Sequence, residues 1–141
     1  MDGGYHNLEI YNLAHSLGVA IHEMTLKLPK FETYEEASQI RRSAKSVSTN
    51  IVEGFALRKY KNEYIHFLYR AYGSSEETLE HLRYLFETKS LIDENVYIYL
   101  SSECKKLNGM IFRFIQSVER NYETPNFLKE PEADYDIGEN L

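Results

Sequence analysis

Apolar residues recur at helical spacing along most of the chain, and four separate stripes can be traced. The first runs from about Leu8 to Leu28, with Ile10, Leu13, Leu17, Ile21, Met24 and Leu28 on one face. Pro29 closes it, because the residue before a proline resists the helical region. The second opens at Thr33-Tyr34-Glu35-Glu36, a capping-box pattern in which Thr33 accepts from a backbone N–H three residues on and Glu36 reaches back. Its apolar line is Ile40, Ala44, Val47 and Ile51, and Gly54 ends or bends it at low steric cost, giving a predicted helix over 33–54. The third is predicted over 62–89 on the line Tyr64, Phe67, Leu68, Ala71, Leu79, Leu82 and Phe86. Gly73-Ser74-Ser75 interrupts its middle, and the triplet reads as a notch where a neighbouring helix comes close. The fourth is predicted over 93–122, with Asp93 as N-cap, Ile92 stapled onto Tyr97, and Leu100, Cys104, Leu107, Ile111, Phe114 and Val118 behind them.

Helices of this length are about 30–45 Å long. The loops between them are short, so consecutive helices should run antiparallel. The pattern therefore predicts an all-α fold, an antiparallel up-down-up-down four-helix bundle over residues 1–122. Residues 123–141 contain Pro125 and Pro131 and rule out simple continuation of the last helix, so they read as an acidic flexible C-terminal tail. A chain of 141 residues is long enough for one domain with a proper core. More apolar surface is present than one bundle needs: Val19, Tyr69, Tyr72, Tyr84, Leu85, Phe112 and Ile115 fall beside or opposite the stripes, within a total of twelve tyrosines and seven phenylalanines. Aromatics with polar tips suit interfaces, which favours a homo-oligomer over a monomer.

Composition narrows the setting. No apolar run reaches the roughly 18 residues of a membrane span, and the N-terminus has no basic region followed by an apolar one, so no membrane or secretory segment is expected. Cys104 is the only cysteine, which leaves no internal disulfide or zinc cluster and fits a reduced, cytoplasmic protein.

Charge is distributed unevenly. The formal net charge is −6, of which −5 falls within 123–141, leaving a body near neutrality. Inside that body, 41–61 carries Arg41, Arg42, Lys45, Arg58, Lys59 and Lys61 against Glu53 alone. Arg41 and Lys45 stand one helical turn apart with no acid three or four residues away, so their partners must lie elsewhere in the fold, in another subunit or in a ligand. Arg58, Lys59 and Lys61 alternate with Phe55, Tyr60 and Tyr64, and interleaved cations and aromatics near a helix junction can grip phosphates and stack on bases. The plainer alternative is a solvated face paired with Glu76, Glu77 or Glu80. Asn50 and Glu53 fall near the Ile51 face, where a partly buried Glu53 needs a cation such as Arg42 or an arginine of the third helix. A di-iron site needs two Glu-x-x-His pairs, and Glu63-Tyr64-Ile65-His66 occurs once, so neither metal nor cofactor is expected. His6, His15, His22 and His81 make no ligand pair, and no phosphate loop or nucleophile elbow is present.

The combination Tyr34-x4-Gln39-Ile40-Arg41-Arg42-Ser43-Ala44, Ser48-x-Asn50-Ile51-x-Glu53-Gly54 and Phe67-Leu68-x2-Ala71-x-Gly73-Ser74-x2-Glu77 resembles the four-helix-bundle family of 23S rRNA intervening-sequence proteins. The likeness covers about residues 8–122. Members of that family are similar to the accessory variability protein of diversity-generating retroelements, a homopentamer that binds nucleic acid and a reverse transcriptase through basic surface. The resemblance thus implies a homopentamer here, with Arg41, Arg42 and Lys45 at the family's basic positions, while Asn50, Glu53, Gly54, Gly73, Ser74 and Glu77 are expected to form a structural network. The expected function is a non-enzymatic oligomer that binds RNA, DNA or a nucleic-acid enzyme. The alternative is a structural or protein-adaptor oligomer that uses the same cations in ion pairs.

Overall fold

Periodicity of this kind produces helices, and the structure, a computed structural model, contains four long ones within the described residues, 4–121. They are α1 (Glu9–Thr25), α2 (Glu36–Ala56), α3 (Lys61–Glu87) and α4 (Glu94–Asn121), with 3-10 turns at Tyr5–Asn7 and Lys30–Tyr34 and no strand among the described residues. Each helix touches two others: α1 meets α2 and α4, and α3 meets α2 and α4, without diagonal contacts. The result is a ring of four around one core, a helical bundle. Ile10, Ala14, Leu17 and Ile21 of α1 face Ile40, Ala44, Val47 and Ile51 of α2, Tyr64, Leu68, Ala71 and Leu82 of α3, and Leu100, Cys104, Leu107 and Ile111 of α4. Leu85 and Ile115, expected among the surplus, are fully buried. A helix wedged between two neighbours buries an arc wider than a single line of residues, and both side chains lie within that arc.

The helix ends depart from expectation in instructive ways. α1 stops at Thr25, and the next three N–H groups, of Leu26, Lys27 and Leu28, bond three residues back into a tightened last turn before Pro29. The anticipated capping box at Thr33 does not form. The 3-10 turn after Pro29 consumes Lys30–Tyr34, leaves Thr33 exposed, and puts the buried Glu32 carboxylate under the start of α2. Glu32 Oε1 accepts the Glu36 backbone N–H at 3.2 Å, and its other oxygen accepts the Ser90 hydroxyl. At the far end α2 continues to Ala56, so Gly54 lies inside the helix instead of ending it. A Cβ on Gly54 would sit 3.0 Å from the Phe67 Cβ and 3.3 Å from Tyr64 Cδ1, so glycine here permits the close approach of α2 and α3. Gly73 is the converse. No atom of a described residue lies within 4 Å of a Cβ built there, so it is no packing notch.

Asp93 caps α4 as anticipated, its Oδ1 accepting the backbone N–H of Asn95 and Val96 at 3.0 and 3.2 Å. The Ile92–Tyr97 staple is absent: Ile92 is 82% exposed, and Tyr97 instead stacks on Phe86 with centroids 4.1 Å apart. α3 ends through Lys89 at φ 69°, a left-handed conformation that lets the Leu91 N–H reach the Leu85 carbonyl at 2.9 Å. The expected tail, 123–141, lies outside the described residues.

Candidate functional site

The basic region of α2 and the α2–α3 junction is where sequence chemistry pointed, and its six cations meet different fates. Arg41 is half-buried against the end of α1. Its Nη1 donates to Thr25 Oγ1 at 3.1 Å and its Nη2 to the Thr33 carbonyl at 3.5 Å, while the Thr25 hydroxyl donates to the His22 carbonyl. A cation at a helix C-terminus answers the dipole of that helix, which supplies the partner that α2 itself lacks. Arg58 is buried, with its guanidinium carbon 3.6 Å from the Phe55 ring centroid and Nη1 donating to the Phe55 carbonyl at 2.7 Å. Lys61 donates to the Glu119 carbonyl in the last turn of α4 at 2.9 Å. Lys59 lies beside the Tyr60 ring, 5.5 Å from its centroid. Arg42 and Lys45 stay exposed, and their side chains make no hydrogen bond or ion pair with any described residue. The six do not form one open patch.

The network expected around Asn50 exists with altered membership. Asn50 is buried, and its Nδ2 donates to the Ser46 carbonyl and hydroxyl at 2.8 and 2.9 Å. Ser46 and Ser74 share a hydrogen bond of 2.9 Å, and so do Ser43 and Thr78. This hydroxyl seam lets α2 and α3 pack closely while satisfying buried polar atoms. Glu53 is not part of it. It is exposed, because its position turns toward solvent from the Ile51 face, and it forms no ion pair with Arg42. Glu77 pairs with an imidazole instead of the basic residues: His81 Nε2 lies 3.2 Å from Glu77 Oε2, and His81 Nδ1 lies 2.7 Å from Glu36 Oε1. A neutral imidazole has one donor, so satisfying both carboxylates requires the imidazolium form. His81 escaped the sequence reading because Glu36 comes from another helix; only Glu77, one turn earlier, was a local signal.

Two grooves flank α1. One, of about 860 Å³ between α1 and α2, has Tyr11, His15, Val19, Lys45 and Val52 in its walls. The other, of about 630 Å³, lies between α1 and the start of α4 beside Met24, Leu28, Val96 and Tyr99. Glu63 and His66 are exposed on α3, and no three His, Cys, Asp or Glu among the described residues converge as a metal site. Burial, with Glu103 nearby, pushes the Cys104 thiol up to about 12. The Tyr72 phenol is raised above its ordinary range, first by its hydrogen bond to Glu76. No described helix is long and apolar enough to cross a membrane.

The sequence profile of the 23S rRNA-intervening sequence protein family matches residues 6–113, from the first turn through most of α4. The chain belongs to that family. Among solved structures, this intervening-sequence protein is similar to a protein of unknown function from the S23 ribosomal protein family of Bacteroides thetaiotaomicron. The TM-score is 0.69 at 21% identity, over 76% of this chain and 95% of that one, a likeness that establishes the shared fold alone. No curated protein matches the chain. The family match agrees with the resemblance carried by the α2 and α3 motifs, and within it Gly54 has a clear steric role whereas Gly73 has none.

Proposed function

We propose that this intervening-sequence protein is a non-enzymatic, self-assembling helical bundle that acts as a structural or protein adaptor. The observation that carries the reading is surplus apolar surface around a core that is already complete. Val19, Tyr69, Tyr84 and Phe112 are 42–53% exposed while the interior residues of all four helices are buried. Phe112 meets Tyr72 with ring centroids 5.8 Å apart across α3 and α4, so the apolar surface is continuous there, and such patches favour association. The antiparallel up-down-up-down order belongs to the same reading. It is supported by the pairing of Ser43 with Thr78 and Ser46 with Ser74, in which positions rise along α2 as they fall along α3. Five copies is the stoichiometry implied by the resemblance to the retroelement protein. The single buried thiol, Cys104, suits a cytoplasmic setting. Size-exclusion chromatography with light scattering tests the assembly. The reading requires a particle several times the 16.6 kDa chain mass, and a monomer at micromolar concentration rejects it.

Binding of RNA, DNA or a nucleic-acid enzyme is the second reading, favoured by exposed Arg42 and Lys45, whose charges find no partner among the described residues. It predicts salt-dependent retention in filter binding that falls when both are replaced by Ala. Equal retention by the double variant, or none at low salt, removes it.

A further inference from the structure

The outer face of α4 carries a second group of cations, apart from the 41–61 region. Lys106, Arg113 and Arg120 are exposed and stand seven residues apart, two turns of helix. They form one column about 21 Å long on the side of α4 away from the core. Lys105 is exposed beside it. The side chains of all four make no hydrogen bond or ion pair with any described residue. Glu103 lies one turn before Lys106 without pairing with it, and Glu119 accepts the Tyr69 hydroxyl on the α3 side. The Arg113 guanidinium lies back along the helix at Gly109, its Nη1 3.2 Å from where a Cβ would sit. That places it one turn from Lys105 and Lys106. Like charges grouped this way are unfavourable unless an anion answers them.

The chain carries such an anion in its own sequence. Residues 122–141 follow α4 directly and hold six acids against Lys129. Four of them, Glu130, Glu132, Asp134 and Asp136, recur at every second position. Alternate side chains of an extended segment share one face, so these four carboxylates would line one edge over about 20 Å. That is the length of the cation column. Residues 122–129 precede the acids, and eight residues span up to about 27 Å, enough to turn back from the end of α4. We propose that residues 130–136 dock antiparallel along the outer face of α4 of the same chain, carboxylates against Lys106, Arg113 and Arg120. Tethering holds the carboxylates beside the column at about millimolar effective concentration. The docked segment covers the column and keeps other anions off α4.

Disulfide trapping in the full chain tests it, with buried Cys104 silent toward oxidants. Glu132→Cys leaves three carboxylates on the acidic edge. It is combined either with Ser117→Cys, exposed between Arg113 and Arg120, or with Thr49→Cys, exposed on α2, which does not touch α4. At low salt the Ser117 pair should close within one chain several times faster than the Thr49 pair. The advantage should vanish at about 1 M salt, where exposed charges are screened within a few ångströms. It should vanish equally when Lys106→Gln, Arg113→Gln and Arg120→Gln are combined, with helical content unchanged by circular dichroism. Equal rates for the two pairs overturn the docking, and so does a Ser117 rate that the three replacements leave intact. A disulfide that joins two chains on a denaturing gel overturns it by placing the segment on a neighbouring copy. Equal rates, together with RNA that wild type retains and the triple replacement releases, overturn it by giving the column to an outside polyanion.

Discussion

Glu32 accepts the Glu36 backbone N–H with one carboxylate oxygen and the Ser90 hydroxyl with the other, so one side chain ties the turn before α2 to the turn before α4. Replacing it by Ala strands both donors, and unpaired buried groups cost about 1–3 kcal/mol each. Glu32→Ala should therefore lose a few kcal/mol in urea unfolding, with Glu32→Gln milder. An unchanged midpoint would show that neither bond matters. Nothing local marked this residue, since its partners come from a 3-10 turn and from a segment 58 positions away. The same limit applied to the cations. Their lack of helical partners was legible, but that Thr25 would receive Arg41 and Glu119 would receive Lys61 depends on which helix ends meet in space. Cys104 offers a cleaner prediction. Its raised thiol pKa, about 12, should keep it unreactive toward a disulfide reagent at pH 8 until the protein unfolds. The sign of the pH effect follows. An unfolded thiol ionises near its ordinary pKa of 9.0 and the folded one does not, so this group's stabilising contribution falls as pH rises from about 9 toward 12.

At the scale of the helix, the apolar stripes were legible because a 3.6-residue period is a property of the chain itself. The Asp93 cap was equally local and forms as read. The features that were not legible depend on competition. Thr33 lost its capping role to the turn that Pro29 starts, and Tyr97 stacks on Phe86 instead of on Ile92. The two glycines make this contrast testable. A methyl at Gly54 meets Phe67 and Tyr64, and overpacking costs about 1–3 kcal/mol against ~1 kcal/mol returned by better helix propensity. Gly54→Ala should thus be net destabilising by roughly 1 kcal/mol. Gly73→Ala meets open space and should stabilise by about 0.5–1 kcal/mol. Denaturant unfolding of the pair checks both, and the same sign for both variants would contradict the assigned roles.

At the scale of the whole molecule, three of the six cations of the basic region are engaged by the fold itself, through helix ends and the Phe55 ring and carbonyl. Arg42 remains outward, and Lys45 lines the groove between α1 and α2. The family match and the bundle account for the architecture, and the exposed apolar side chains are what support the proposed assembly. Sedimentation velocity of the full chain over a dilution series tests that claim most directly. The account predicts one discrete species at several multiples of 16.6 kDa that dissociates only on strong dilution. A single 16.6 kDa species at every concentration would contradict it.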